Sequence, residues 1–142
     1  MRIRRFSSAL VFVVLVAGVA HGEGVRFKGS TVTFRVEGAT IKAFTLTASA
    51  LCLVAGRGSN EIRVIPLEEP AKLDGDGRFA LTLDQQGTKA SVTGRVAGDS
   101  ADGRFEVRYT KTVSSYDPIT RNPKFEIASC SAKAPWTAAR QA

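Results

Sequence analysis

Side chains able to do catalytic chemistry are few in this chain of 142 residues. The one histidine, His21, lies in an N-terminal segment that has the features of an export signal and that we expect to be removed. A mature chain without histidine cannot use a Ser-His-Asp or Cys-His mechanism, a histidine-ligated metal or a histidine proton shuttle. The sequence therefore predicts no catalytic residue, no enzymatic activity and no cofactor.

Cys52 and Cys130 are the only cysteines and the remaining candidates for covalent chemistry. In an exported protein an even number of cysteines usually means that they are paired. One bridge would close a loop of about 79 residues and stabilise the fold by about 4 kcal/mol. The alternatives are two free buried thiols or a metal pair, although zinc would need two further histidine or cysteine ligands that the mature chain lacks. We expect a disulfide, which leaves no thiolate nucleophile.

Carboxylates offer two further patterns. Glu68 and Glu69 are adjacent, so in an extended chain they point to opposite sides and cannot face one substrate bond together. Residues 74–77 (DGDG) resemble the start of a calcium loop, but the position of the bidentate glutamate is taken by Leu83. Aspartate and glycine are also the residues that a tight turn requires, and we interpret this segment as a turn with no metal.

Aromatic residues are the other route to function, because β-domains often bind partners through exposed Tyr or Trp. Tyr116 lies in a polar segment predicted to be a long loop, and it is the best candidate for an external contact. Tyr109 and Trp136 are further candidates, against the alternative that both pack in the core. The phenylalanines in strand-like runs are expected to be core residues: Phe27, Phe34, Phe44, Phe79, Phe105 and Phe125.

The N-terminal segment has the three-part structure of a signal peptide. Arg2, Arg4 and Arg5 precede an apolar run of 12 residues, and cleavage is expected after Gly22 or Ala20. The run is shorter than the roughly 20 residues of a membrane-spanning helix, so we expect no stable anchor after cleavage. Residues 1–22 are predicted to be a cleaved signal and residues 23–142 a single all-β domain, secreted to the periplasm, cell envelope or medium.

Removing the signal changes the charge. The whole chain has a formal net charge of +7, but three of its 20 basic residues and none of its 13 acidic residues precede residue 23, which leaves +4. The remaining cations are dispersed among threonines and apolar residues. Nucleic-acid binding needs basic residues clustered along one surface, so the sequence predicts no nucleic-acid partner.

Short runs of alternating apolar and polar residues indicate the elements that position these groups. Residues 41–54 form a longer β-rich stretch whose apolar phase changes near Ala43, which predicts a bulge or bend. Residues 112–123 are expected to be a long loop, followed by two final strands over 124–130 and 136–140. About eight or nine short strands without a convincing amphipathic helix predict an antiparallel β-sandwich or a small β-barrel with one disulfide.

Several motifs occur in a characteristic order along the mature chain. They are an early Val-x-Phe-x-Val strand, a cysteine at the end of a long strand, two Gly-Arg-Phe hairpin entries, and a closing Cys130 followed by Trp136-x-Ala138-x-Arg140. Together they resemble a group of secreted bacterial β-domains that have no assigned activity. The resemblance covers most of the mature chain; it implies the all-β fold and the disulfide and adds no catalytic residue.

These observations favour a secreted, non-catalytic β-domain that acts through its surface on an extracellular or envelope partner. One alternative is a carrier whose strands enclose an apolar cavity for a small ligand. Another is a small exported enzyme inhibitor.

Overall fold

The computed structural model describes residues 24–142, so the predicted signal peptide and His21 lie outside the described residues. Nine strands account for 76% of the described chain, which has no helix. Within these residues there is accordingly no helix long and apolar enough to span a membrane. The strands are β1 (Val25–Lys28), β2 (Val32–Glu37), β3 (Thr40–Val54), β4 (Arg57–Leu67), β5 (Ala71–Lys72), β6 (Arg78–Gln85), β7 (Thr88–Ala97), β8 (Ser100–Tyr116) and β9 (Pro123–Arg140).

All nine strands belong to one antiparallel sheet with the order β4-β3-β2-β1-β9-β8-β7-β6. The short β5 pairs with the beginning of β3, and the second half of β3 pairs directly with β9. The predicted all-β antiparallel class with one disulfide is confirmed. The sheet bends over itself, so that Phe79 on β6 lies 6.0 Å from both Phe34 on β2 and Phe44 on β3 across the interior.

The bulge predicted near Ala43 is present. Thr33 and Arg35 of β2 pair with Thr45 and Lys42 of β3, so β3 carries one extra residue between the two pairs. Ala43 takes a φ of 53°, the left-handed conformation that a residue with a Cβ adopts only at some energetic cost. This extra residue changes the phase of β3, and it lets both Ile41 and the later alternating residues point inward.

Trp136 lies at the centre of the interior, against three phenylalanine rings whose centroids are about 6 Å from its own. Two glycines on the neighbouring strands make room for it. Gly94 on β7, Gly103 on β8 and Trp136 on β9 are register partners in one row across the sheet. A Cβ added at Gly103 would lie 2.7 Å from the indole Cε2, and one added at Gly94 would lie 2.8 Å from the Phe79 ring. Only glycine therefore fits at these two positions beside the indole.

Several strands are longer than the sequence predicts. Residues 112–116, expected to be loop, continue β8 and pair with β9 as far as Tyr116 and Pro123. The two expected final strands are one strand, β9, because Pro135 continues the ladder opposite Arg104. β3 and β4 are joined by a two-residue turn at Ala55 and Gly56, both with positive φ, which matches the twist of a hairpin.

Candidate functional site

The three aromatic residues proposed as surface contacts have different positions. Trp136 is 2% exposed and Tyr109 is 3% exposed, so neither side chain can contact a partner. Both residues face inward in mid-strand, where a large apolar ring fills space inside the bent sheet. Tyr116 is 65% exposed at the end of β8, and its role as a contact stays a prediction.

Cys52 and Cys130 form the predicted disulfide, from directly opposed positions on β3 and β9. Tyr109 lies next to Cys130 on β8, with its hydroxyl 3.9 Å from Cys52 Sγ. The Arg63 guanidinium carbon lies 4.0 Å from the centre of the Tyr109 ring, within cation–π range. The disulfide is thus covered on the inner side by an aromatic ring and a cation.

Glu61 completes this covering layer. Its carboxylate pairs with the Lys111 ammonium and lies 3.6 Å from Cys52 Sγ. The contact with sulfur is packing alone, because a bridged sulfur carries no proton to donate. Among the described residues, Cys52, Glu61 and Cys130 are the group whose ligand atoms lie close enough to hold a metal, within 4.8 Å. The sulfurs are bonded to each other and the carboxylate is paired with Lys111, so we assign the cluster to the stability of the fold.

The carboxylate of Asp74 is used by its own turn. Asp74 Oδ1 accepts the backbone N–H groups of Asp76 and Arg78, each at 2.9 Å. These backbone hydrogen bonds, the one from Arg78 foremost, hold the pKa of Asp74 below its ordinary value. These hydrogen bonds show that the Asp-Gly sequence of residues 74–77 forms a tight turn.

Asp117 organises the turn between β8 and β9 in the same manner. Its Oδ1 accepts the N–H of Ile119 at 2.9 Å and of Thr120 at 3.4 Å, and these bonds hold the pKa of Asp117 below its ordinary value. The backbone N–H of Arg121 also donates to the Asp117 carbonyl. The connection expected to be a long loop is therefore a six-residue turn that presents the side chain of Ile119 to solvent.

The most unusual surface lies on the outer side of β4, β3, β9 and β8, at the end of the molecule that holds the disulfide. Its seven large side chains are between 47% and 75% exposed and lie on the side of the sheet opposite the core. Successive members are either two apart on one strand or diagonal neighbours on adjacent strands, close enough for long side chains to touch. In order across the sheet they are Val64, Ile62, Leu51, Leu53, Ile127, Phe125 and Tyr116.

The outward positions between these side chains carry small polar groups and no charge. They are Thr47, Ser49, Asn60, Thr112, Ser114, Ser129 and Ser131. We call the seven large residues and these seven small ones the uncharged face. A depression of about 340 Å³ adjoins it, with Leu53 on one side and Lys89 and Arg108 on the other.

At this end of the strands the charged residues point the other way. Glu61, Arg63, Lys111 and Glu126 alternate with residues of the uncharged face and lie in the inward phase, where Glu61 and Lys111 pair. This end of the sheet therefore reverses the usual arrangement of a half-buried strand, in which the charged phase faces water. Inward-pointing charge on the edge strand β4 also protects its free edge from pairing with another chain.

Sequence reasoning missed this surface. Phe125 was expected in the core and is instead 68% exposed. The phase of the cysteines could have revealed it. Both cysteines are buried, so residues an odd number of positions away on the same strand point outward; these are Leu51, Leu53, Phe125 and Ile127. Comparison of the chain with protein-family models, curated proteins and solved structures found no match.

Proposed function

We propose that this chain is an exported, non-catalytic module that acts by contact through the uncharged face. Two observations support export: the signal-like N-terminal segment and a disulfide compatible with an oxidising compartment. The observation that carries the proposal is the continuous row of seven large side chains on a face without charge.

The composition of the uncharged face fits an interface. Large exposed apolar patches on soluble proteins mark interaction sites, and the buried centres of interfaces are depleted in charged residues. Taking roughly 150–200 Å² for a fully exposed large residue, the seven side chains expose on the order of 650–900 Å². This area exceeds the roughly 300–600 Å² of the largest patch on a typical monomer.

The interior gives less support to the carrier alternative. A ligand held between the layers would lie where Phe34, Phe44, Phe79 and Trp136 pack, with ring centroids no more than about 6 Å apart. These rings fill the space that an apolar ligand would need. The contacts therefore favour action at the surface over enclosure of a small molecule, and the enzyme-inhibitor alternative stays a prediction.

The test compares matched threonine variants in a binding experiment. Residues 23–142 with the disulfide intact are immobilised and exposed to the secreted and envelope fractions of the source cells. Leu53→Thr and Ile127→Thr remove apolar surface from the uncharged face, whereas Ile119→Thr removes an even more exposed apolar side chain, 90% exposed, from the turn outside it. Threonine is a good strand former, so each variant is expected to keep the fold.

We expect the double variant Leu53→Thr/Ile127→Thr to retain at most a tenth of the bound material, and Ile119→Thr to retain nearly all of it. If the bound material is a second, unlabelled copy of this chain, it also counts as specific retention. Equal retention by all three proteins, or no specific retention by the wild type, would contradict the proposed function.

A further inference from the structure

We infer that the partner of the uncharged face is a second copy of this chain, bound face to face about a twofold axis. The inference rests on the proposed function, since it names the partner of the same surface. It does not depend on any other protein being present, because both halves of the interface belong to this chain.

Charge is the first reason. Residues 23–142 carry 17 basic and 13 acidic residues, so two copies repel each other at long range. Elsewhere the outward positions of the sheet carry charged side chains, such as Lys89 and Arg95 on β7 and Arg104, Glu106 and Arg108 on β8. Contact between copies at those strands would bury these charges. The uncharged face is the outer surface of the described strands on which two copies can meet without burying a charge.

Area and geometry are the second reason. A standard interface buries about 800 Å² on each partner, and the seven large side chains expose roughly 650–900 Å². Two sheet faces pack well against each other at about 10 Å, with interdigitated side chains. A twofold interface also needs a self-complementary surface. The row meets this need because its two halves are alike. Each end carries a large side chain, Val64 or Tyr116, the middle carries Leu53, and small serines and threonines flank the row.

A lipid surface fits the same face less well. Proteins that lie on anionic membranes combine apolar side chains with Lys and Arg that point toward the headgroups. At the positions that alternate with the uncharged face, Arg63, Lys111 and Lys124 are in the inward phase and point away from such a surface. The outward Lys89 and Arg108 lie only at the border of the face, beside Leu53. The arrangement thus favours a protein partner with an equally uncharged face.

Sedimentation velocity of oxidised residues 23–142, at concentrations on the order of 1–100 μM, tests the inference. We expect a dimer for the wild type and for the control Ile119→Thr. Leu53 is central in the row, so near the axis it meets Leu53 of the other copy. Leu53→Thr is expected to weaken the dimer at least tenfold.

Leu53→Lys and Leu53→Glu are each expected to be monomeric, because like charges would meet at the axis. An equimolar mixture of the two variants is expected to regain dimers, and high salt should weaken these dimers. Emission of the single tryptophan, Trp136, checks that each variant is folded.

A wild type that is monomeric throughout this range overturns the inference, and so does a dimer that Leu53→Lys leaves intact. Flotation of a monomeric wild type with vesicles of phosphatidylcholine and phosphatidylglycerol would overturn it in favour of a lipid surface. The proposed function can survive each of these results: a monomer that still binds another protein through Leu53 and Ile127 disproves the dimer alone. If the threonine variants change neither binding nor association, both proposals fail.

Discussion

Replacing Gly94 by alanine adds one methyl group to a crowded place in the interior. A Cβ at this position would lie 2.8 Å from Cε1 and Cζ of the Phe79 ring and would also collide with the Trp136 indole. Carbon atoms pack without strain at about 3.5–4.0 Å, so at least one ring must move. Both rings also contact Phe34 and Phe44, and a shift of either one disturbs the whole cluster.

The size of the effect follows from two opposing contributions. Overpacking a core by one methyl group typically destabilises a protein by about 1–3 kcal/mol. Replacing glycine by alanine reduces the entropy of the unfolded chain and returns about 0.4–1 kcal/mol where the site has room. We therefore expect Gly94→Ala to lower the free energy of unfolding by about 1–2 kcal/mol, which lowers Tm by roughly 4–8 °C for a domain of this size.

The matched control is Gly75→Ala. Gly75 lies in the turn before β6, without a positive φ, and a Cβ added there meets no atom within 4 Å. Thermal unfolding of oxidised residues 23–142, followed by far-ultraviolet circular dichroism and by Trp136 emission, should show Gly75→Ala unchanged or slightly more stable. The double variant Gly94→Ala/Trp136→Phe should lose less stability than the two single variants added together, because the smaller ring leaves room for the methyl group. Equal stability of Gly94→Ala and Gly75→Ala, or strict additivity with Trp136→Phe, would refute the packing described here.

Three further predictions concern the rest of the fold. Replacing both Cys52 and Cys130 by alanine should lower the free energy of unfolding by about 4 kcal/mol, because their sequence separation of 78 closes a long loop in the unfolded chain; a change below about 1 kcal/mol in urea unfolding would contradict this. Asp74→Asn should weaken the pH dependence of stability in acid. The pKa of Asp74 is lowered on folding, so its contribution to the stability of the fold is present above the unfolded pKa of 3.8 and is lost as the pH falls through the folded pKa. Identical acid-unfolding curves for the wild type and Asp74→Asn would argue against the hydrogen bonds of the turn. Ala43→Gly should leave the free energy of unfolding unchanged or raise it by up to about 1 kcal/mol, because glycine adopts a positive φ without strain. If this variant instead loses stability, as glycine does in a regular strand, the bulge carries no strain at Ala43.

The sequence predicts much of the fold because strand alternation is a local signal. Of the six phenylalanines that this signal places in the core, five are buried, on β1, β2, β3, β6 and β8. It also located the bulge at Ala43, where the apolar phase changes within one strand. The lengths of β8 and β9 could not be read in this way, since Ser114, Ser115 and Pro123 have low strand preference and are held by cross-strand pairing.

The candidate site was less predictable for a different reason. Alternation shows that a strand has an apolar phase, but it does not show which phase faces the interior. On β4 the apolar residues Ile62 and Val64 point outward, while the charged Glu61 and Arg63 point inward over the disulfide. Only the pairing of β3 with both β4 and β9 brings the outward residues into one surface, and the pairing of β3 with β9 joins segments far apart in the chain.

The position of β9 has a consequence for the order in which the protein folds. It is the last strand in the chain, yet it pairs with β1, β3 and β8, so the sheet stays open in its middle until residues 123–140 have arrived. Contacts between segments so distant in sequence form slowly, on a scale of milliseconds to seconds. A chain that is synthesised from its N-terminus cannot complete this sheet gradually. It must hold β1 to β4 unfinished until the C-terminal strand inserts, and during that interval the thiol of Cys52 stays open to partners other than Cys130.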